Sequence, residues 1–300
     1  MLGFGRREVN QISRFRPPSI ALPGGLCHNR RVLAFERVAH AAAARAGALV
    51  RARYRERQRV TFKSAVDLVT AVDHEAERLI VDTIAEAYPA HGIVAEESAP
   101  RAGSDPHRWY VDPIDGTTNF AHGYPHFAVS IGLAREDEML LGVVYDPIRE
   151  EIFTAVRGAG ARLNGAPIGV SSVDDLDVAL LGTGFPYDRR EHGAFYVAFF
   201  LEAMRRSQGV RRGGSAALDL CWLAAGRLDA FWEWKLKPWD VAAGRLVVEE
   251  AGGRVTDFAG APHRLDGDET AASNGLLHSA LLAMLGDVRS AQASEKTGRG

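Results

Sequence analysis

The chain has little cysteine, no long apolar run and almost no net charge, and each shortage removes a class of function. Only Cys27 and Cys221 occur in 300 residues, far apart and outside any CxxC or Cys/His spacing. Neither a cysteine zinc site nor a redox pair fits, and a reducing, cytoplasmic setting is expected. No apolar segment approaches the ~20 residues that span a bilayer; the softest stretch, Ala39 to Val50, is interrupted by His40 and Arg45. A membrane partner is therefore not expected. With 36 basic and 38 acidic residues spread along the chain, the formal net charge is -2, which gives no global field to draw in nucleic acid. The ten histidines, His122 and His126 among them, lack an HExxH spacing and read as structural or exposed. Gly182-Thr183-Gly184 is too short for a nucleotide-binding loop, and there is no internal repeat.

What remains is ordinary globular material, 46% hydrophobic and 25% charged, enough for a sizeable core. Residues 1–30 carry Arg6, Arg7, Arg14, Arg16 and Arg30 against Glu8, broken by Pro17, Pro18, Pro23, Gly24 and Gly25. They read as a disordered or leader-like extension, Arg-rich like a transit peptide but without the apolar centre of a secretory signal. The polar stretch 289–300 is expected to fray.

Between these ends, apolar residues at Phe35, Val38, Ala39, Ala42, Ala46, Leu49 and Val50 predict an amphipathic helix from Val32 to about Glu56. A second helix is signalled by Ala76, Leu79, Ile80, Thr83, Ile84 and Tyr88, with Asp73 as its cap and Pro89 closing it. Short extended runs follow at 92–95, 109–111, 127–134, 140–145, 153–156 and 168–170, with Asn164-Gly165 as a hairpin turn. After Ser171 the expected order is strand 178–183, helix 193–207, helix 216–225, strand 230–234 and helix 241–251. Helices first, strands in the middle, then alternation predict a layered α/β or α+β domain over 31–288, in lobes of about 31–170 and 171–288.

Acidic residues gather in three apolar segments: Val94-Ala95-Glu96-Glu97-Ser98, Trp109-Tyr110-Val111-Asp112-Pro113-Ile114-Asp115, and Lys237-Pro238-Trp239-Asp240. Each acid closes a short hydrophobic strand or opens a helix, and strand carboxyl ends in α/β sheets converge on one crevice. Two carboxylates about 4 Å apart repel by roughly 4 kcal/mol at an effective dielectric of 20, so such a group needs cations. Hard oxygen ligands favour Mg²⁺. Pro113 fixes its own φ and biases Asp112 toward extended geometry, leaving the Ile114 carbonyl as a further oxygen ligand. Gly116-Thr117-Thr118 offers amides and hydroxyls to a phosphate opposite the metals. Asp240 is expected to cap the helix that it begins.

The run Asp112-Pro113-Ile114-Asp115-Gly116-Thr117-Thr118-Asn119-Phe120 resembles the principal signature of the inositol monophosphatase family. Trp239-Asp240-Val241-Ala242-Ala243-Gly244, with Glu250-Ala251-Gly252-Gly253, is similar to its second. Lys63 to Asp73, Glu96-Glu97-Ser98 and Gly214-Ser215-Ala216-Ala217 extend the likeness over Val32 to Leu285. The resemblance implies an αβαβα sandwich, usually dimeric and often inhibited by Li⁺, that hydrolyses phosphate monoesters with two or three Mg²⁺ per site. Carried over by residue, Glu96, Asp112, the Ile114 carbonyl, Asp115 and Asp240 would hold metal, with Glu96 also counted as catalytic. Asp73 and Thr117 would position or deprotonate the attacking water, and the Gly116 and Thr117 amides would bind phosphate. Asp115, Gly214, Ser215, Ala216, Glu233 and Asp240 would touch the alcohol.

The first expectation is myo-inositol 1-phosphate as substrate, with histidinol phosphate, fructose 1,6-bisphosphate or 3′-phosphoadenosine 5′-phosphate as alternatives, since the metal motif reads only phosphate. A regulatory protein that binds RNA or the transcription machinery is the rival of another class, although near-neutral charge makes nucleic acid an improbable direct partner. Arg211 and Arg212 either attract an anionic substrate or form a solvated basic turn, the simpler reading.

Overall fold

A computed structural model describes residues 26–56, 60–62 and 68–297. Residues 1–25 of the expected extension, and Lys63 to Asp67 of the family likeness, lie outside them.

The described residues open with helix α1, Leu26–Arg53, which starts inside the stretch expected to be an extension. A two-stranded ribbon, β1 Val60–Phe62 and β2 Leu68–Thr70, precedes α2, Ala71–Ala87. Asp73 is not the cap of α2: Thr70 is. Asp73 stands at the third helical position, where its Oδ2 accepts from the Thr70 amide at 2.8 Å and the Thr70 hydroxyl at 2.6 Å. A carboxylate three residues into a helix can reach back to the capping amide, so its helix-start signal is shared with a neighbour.

Seven strands then form one sheet in sequence order: β3 Gly92–Ala95, β4 His107–Asp115, β5 Ala128–Arg135, β6 Glu138–Asp146, β7 Glu151–Val156, β8 Ala161–Leu163 and β9 Ala166–Pro167. Only β3 and β4 run parallel. A single turn of helix, α3 Thr117–Ala121, follows β4. Asn164 and Gly165 join β8 to β9 with φ of 50° and 83°, the two positive values of a type I′ turn. Residues 168–170 are not a strand; Ile168 and Val170 pack against the central core instead.

The second sheet has the order β11-β10-β12-β14-β13, from β10 Leu180–Thr183, β11 Gly209–Arg211, β12 Ala230–Trp234, β13 Arg254–Thr256 and β14 Glu269–Ser273. Its helices are α4 Arg189–Arg206, α5 Ala216–Ala224, α6 Pro238–Glu250 and α7 His278–Thr297. Helix α7 runs well into the stretch expected to fray; the Gln292 amide holds the Phe195 carbonyl at 3.2 Å.

Three apolar cores separate five layers, αβαβα. The first joins α1 and α2 to one face of the seven-stranded sheet through Phe35, Ala39, Ala46, Ile80, Ile84, Trp109 and Ile131. Alanines let α1 approach closely, and a Cβ on Gly47 would come within 2.4 Å of the Tyr145 ring on β6. The second core sets α5 and α6 between the two sheets, uniting Tyr110, Val144 and Phe153 with Leu220, Phe231 and Val247. The third packs α4 and α7 on the far face of the five-stranded sheet. Both sheets thus share the middle layer, and the carboxyl ends of β3, β4 and β12 face a common cleft.

Candidate metal and phosphate site

Strand β4 loses its ladder where the acids stand. Asp112 pairs with Ser130 but Asp115 with Ala128, so three steps on β4 match two on β5. That is a bulge, and Pro113, which has no amide hydrogen for the ladder, sits inside it. Asp112 Oδ1 accepts the Ile114 amide at 2.9 Å, which tightens the turn. Gly116 follows at φ +98°; a Cβ there would lie 3.0 Å from the Gly214 carbonyl and 3.1 Å from that of His126. Glycine at this position thus permits both the left-handed turn and the approach of residues 213–214.

A cleft of about 690 Å³ opens over this turn and is lined by Glu96, Asp112, Ile114, Asp115, Gly116, Thr117, Gly214, Ser215, Ala216, Glu233 and Asp240, among others. Of the residues selected from the sequence only Asp73 is set back. Its Oδ1 accepts the Thr117 hydroxyl at 2.9 Å, and the same hydroxyl lies 3.0 Å from the Ile114 carbonyl. Asp73 is fully buried and reaches the cleft only through Thr117.

The carboxylates are not at ease with one another. Burial, then Glu96, Asp115 and Asp240, push the Asp112 carboxyl well above the usual range, and Asp112 and Glu96 stand close enough to share a proton. Asp240 is likewise pushed well up by burial, Asp115 and Glu96. Asp115 is raised by burial to about 6, held from rising further by the Ser215 hydroxyl at 2.6 Å and the Ala217 amide at 2.7 Å, both donating to Oδ2. Four converging acids, of which Lys237 relieves only Asp240, match an all-oxygen donor set for divalent cations of the Mg²⁺ kind.

Asp240 does not cap α6 as expected. It occupies the third helical position and its Oδ2 accepts the Lys237 amide at 2.7 Å, while Pro238 takes the first. Ser215 caps α5 and spends its hydroxyl proton on Asp115. Glu233, next to the last residue of β12, packs against Gly184, where a Cβ would fall 2.1 Å from its carboxyl, and burial raises it well above the ordinary carboxylate range.

Sequence reasoning missed the clamp behind the site. Asn119 Nδ2 donates to the His126 carbonyl at 2.7 Å and to that of Gly213 at 3.0 Å, and His126 Nε2 stands 3.2 Å from Asp219 Oδ1. His126 and Asp219 are 93 residues apart, so no local pattern announces them.

At the opposite ends of β3 and β4, His91, Asp105 and His107 bring nitrogen and oxygen atoms within 4.8 Å of one another. The Trp109 indole donates to His91 Nδ1 at 3.1 Å. Indole nitrogen only donates, so neutral His91 carries its proton on Nε2, which faces Asp105 Oδ1 at 3.8 Å. His107 Nδ1 contacts the same oxygen closely. His91 therefore has no free lone pair for a metal: Nδ1 accepts from the indole and Nε2 carries the proton, while Asp105 is hydrogen-bonded to His107.

A bulged strand end that collects acids beside a glycine turn, within an αβαβα sandwich, is the arrangement expected of a metal-dependent phosphoesterase. The comparisons with known proteins give the family. Residues 32–290 match the model of the inositol monophosphatase family, and the chain belongs to it. It is 47% identical over 220 residues to Nus factor SuhB of Vibrio cholerae, covering 73% of this chain and 82% of that protein. Extragenic suppressor protein suhB of Bartonella henselae superposes with a TM-score of 0.81 at 40% identity, over 84% of this chain and 98% of that one. The inositol monophosphatase of Anabaena (Nostoc) gives 0.78 at 41% identity, over 86% and 97%.

Proposed function

We propose that this protein hydrolyses a small phosphate monoester with Mg²⁺, with myo-inositol 1-phosphate as the first substrate. The observation that carries the reading is the four-acid group, in which Asp112 and Glu96 are close enough to share a proton, beside the Gly116–Thr117 turn. Glu96, Asp112, the Ile114 carbonyl, Asp115 and Asp240 are the ligands in this reading, for two or three ions. Bound Mg²⁺ supplies positive charge opposite the phosphoryl oxygens and a lowered pKa for a water.

The chain's own groups do the rest. Asp73 takes the Thr117 hydroxyl proton as a hydrogen bond, which leaves the Thr117 oxygen to accept from a water and aim it. The Gly116 and Thr117 amides donate to the phosphate, and Glu233 accepts from a hydroxyl of the alcohol, flanked by Asp115, Gly214, Ser215, Ala216 and Asp240. The same reading includes a cytoplasmic homodimer, which sedimentation at varied concentration tests.

Phosphate release from myo-inositol 1-phosphate, with and without Mg²⁺, tests it against Asp112→Asn and Asp240→Asn. Mg²⁺-dependent turnover lost in both variants supports the mechanism; activity on a different ester alone replaces the substrate. Inactivity on all of them sinks the phosphatase reading and favours a second one, association with the transcription machinery, which the name Nus factor carried by relatives supports. That association should then persist in Asp112→Ala protein.

A further inference from the structure

Asp115 is held from two sides, and the two sides meet again behind it. On one side the ladder sets it opposite Ala128, the first residue of β5, two residues after His126. On the other, its Oδ2 accepts the Ser215 hydroxyl at 2.6 Å and the Ala217 amide at 2.7 Å, at the N-terminus of α5. One turn into α5, Asp219 Oδ1 lies 3.2 Å from His126 Nε2. A ring therefore closes through Asp115, β5, His126, Asp219 and α5. A carboxylate accepts only, so the His126 Nε2 hydrogen is the donor that closes it.

The join is buried and closely bedded. The side chains of His126 and Asp219 are 5% and 4% exposed, and the Trp222 ring meets the imidazole edge-on with centroids 4.9 Å apart. Gly213 lies across the pair: a Cβ there would stand 2.5 Å from His126 Nε2 and 2.6 Å from Asp219 Oδ1. Asn119 Nδ2 ties the Gly213 carbonyl to that of His126. Asp115 and Ser215 line the cleft, whereas His126, Asp219 and Gly213 do not.

Resting on the metal part of the phosphatase reading, we propose that the His126–Asp219 hydrogen bond is a positioning element for Asp115. It fixes the start of α5 against β5, so that the Ser215 and Ala217 donors both stay on Oδ2 and leave Oδ1 as the oxygen for a cation. Both donors ride on one helix end, so a shift of α5 by about 0.5 Å would spoil both contacts at once. Groups that orient a metal ligand from behind change affinity by about ten- to a hundredfold without touching the ion.

Affinity for Mg²⁺ is measured by calorimetry, which needs no turnover, and unfolding in EDTA is followed alongside. His126→Leu removes the donor and keeps an apolar side chain beside Trp222; it should bind Mg²⁺ ten or more times more weakly than the natural protein. His126→Gln can still donate to Asp219 and should recover most of that loss. Gly213→Ala keeps both groups and places a methyl between them, with the same weakening expected, and it decides the case if the leucine protein does not fold. The Gly213 backbone is outside the left-handed region, so alanine disturbs this contact and not the turn. Folded His126→Leu and Gly213→Ala proteins that unfold more easily in EDTA but bind Mg²⁺ as before overturn the inference, since a purely structural join would act in that way. A glutamine variant no better than leucine overturns it too. A natural protein that takes up no Mg²⁺ sinks the metal reading and this inference with it, whereas unchanged affinity in the variants removes the inference alone.

Discussion

The two ends of the parallel pair β3 and β4 handle ionisable groups in opposite ways. At the carboxyl end, buried Asp112 and Asp115 meet half-buried Glu96 and Asp240, so that acids crowd together. At the amino end, the Trp109 indole donates to His91, His107 is hydrogen-bonded to Asp105, His91 lies 3.8 Å from the same Asp105 oxygen, and Tyr88 stacks on His91. One end pairs donors with acceptors as folded; the other crowds acids that, in the proposed reading, a cation would balance. The difference teaches how to tell a structural cluster of ionisable groups from a ligand site: the structural one balances its own hydrogen bonds and charge, and the ligand site carries an imbalance that its ligand removes.

The strongest way to break this comparison is Asp112→Asn. Mg²⁺-dependent phosphate release should fall by about a thousandfold, roughly 4 kcal/mol of barrier, yet thermal unfolding in EDTA should occur at the same or a higher temperature because a neutral amide replaces a buried carboxyl that its acidic neighbours disfavour in the charged form. A clear drop in metal-free stability would contradict the view that this end is incomplete.

Next in size is the response to the ion itself. Mg²⁺ at about a hundred times its dissociation constant should stabilise the natural protein by about 2.7 kcal/mol, measured by denaturant unfolding, and Asp240→Asn should lose most of that gain. His91→Leu probes the other end: it leaves the buried Trp109 indole without an acceptor, at about 1–3 kcal/mol, while the Mg²⁺ increment stays unchanged. An altered increment would mean that the two ends are energetically linked.

The smallest effect is a pair of opposed pH slopes. Asp115 is raised to about 6 from 3.8, so the folded, metal-free protein binds a proton more tightly than the unfolded chain and loses stability as pH rises from about 4 to 6. His91 is lowered by burial and by His107 from 6.5; its contribution is complete above that value and is lost as pH falls below it. Saturating Mg²⁺ should flatten the first slope in urea titrations and leave the second. Persistence of both slopes would place the first one elsewhere in the molecule.

Much of the frame was legible because periodicity is local. Residues 92–95 and 230–234 are strands with the expected bounds, and the alanine-rich stripe from Phe35 to Val50 is helical, because alternation and three-four spacing report burial directly. Two misplaced helix caps share one cause. Asp73 and Asp240 both carry a helix-start signal but occupy the third position, since their carboxylates reach back to amides three residues earlier. β11, β13 and β14 are short strands whose burial depends on partners far along the chain, and α7 continues past its apolar residues on contacts with α4.

By itself the sequence determined which residue types stand together in Asp112-Pro113-Ile114-Asp115-Gly116-Thr117 and in Trp239-Asp240, and with them the chemistry of hard oxygen ligands beside amide donors. Proline without an amide hydrogen and glycine without a Cβ dictate the bulge and the turn locally. Only the tertiary structure decided which groups complete those segments: that Asp73 acts through Thr117, that Ser215 and Ala217 hold Asp115, and that His126 pairs with Asp219. It also decided that Arg212 faces the cleft and not open solvent alone. The reason is geometric. Side-chain spacing along a helix or strand is set within a few residues, whereas the meeting of a strand end, a helix start and a loop some hundred residues away depends on how five layers pack.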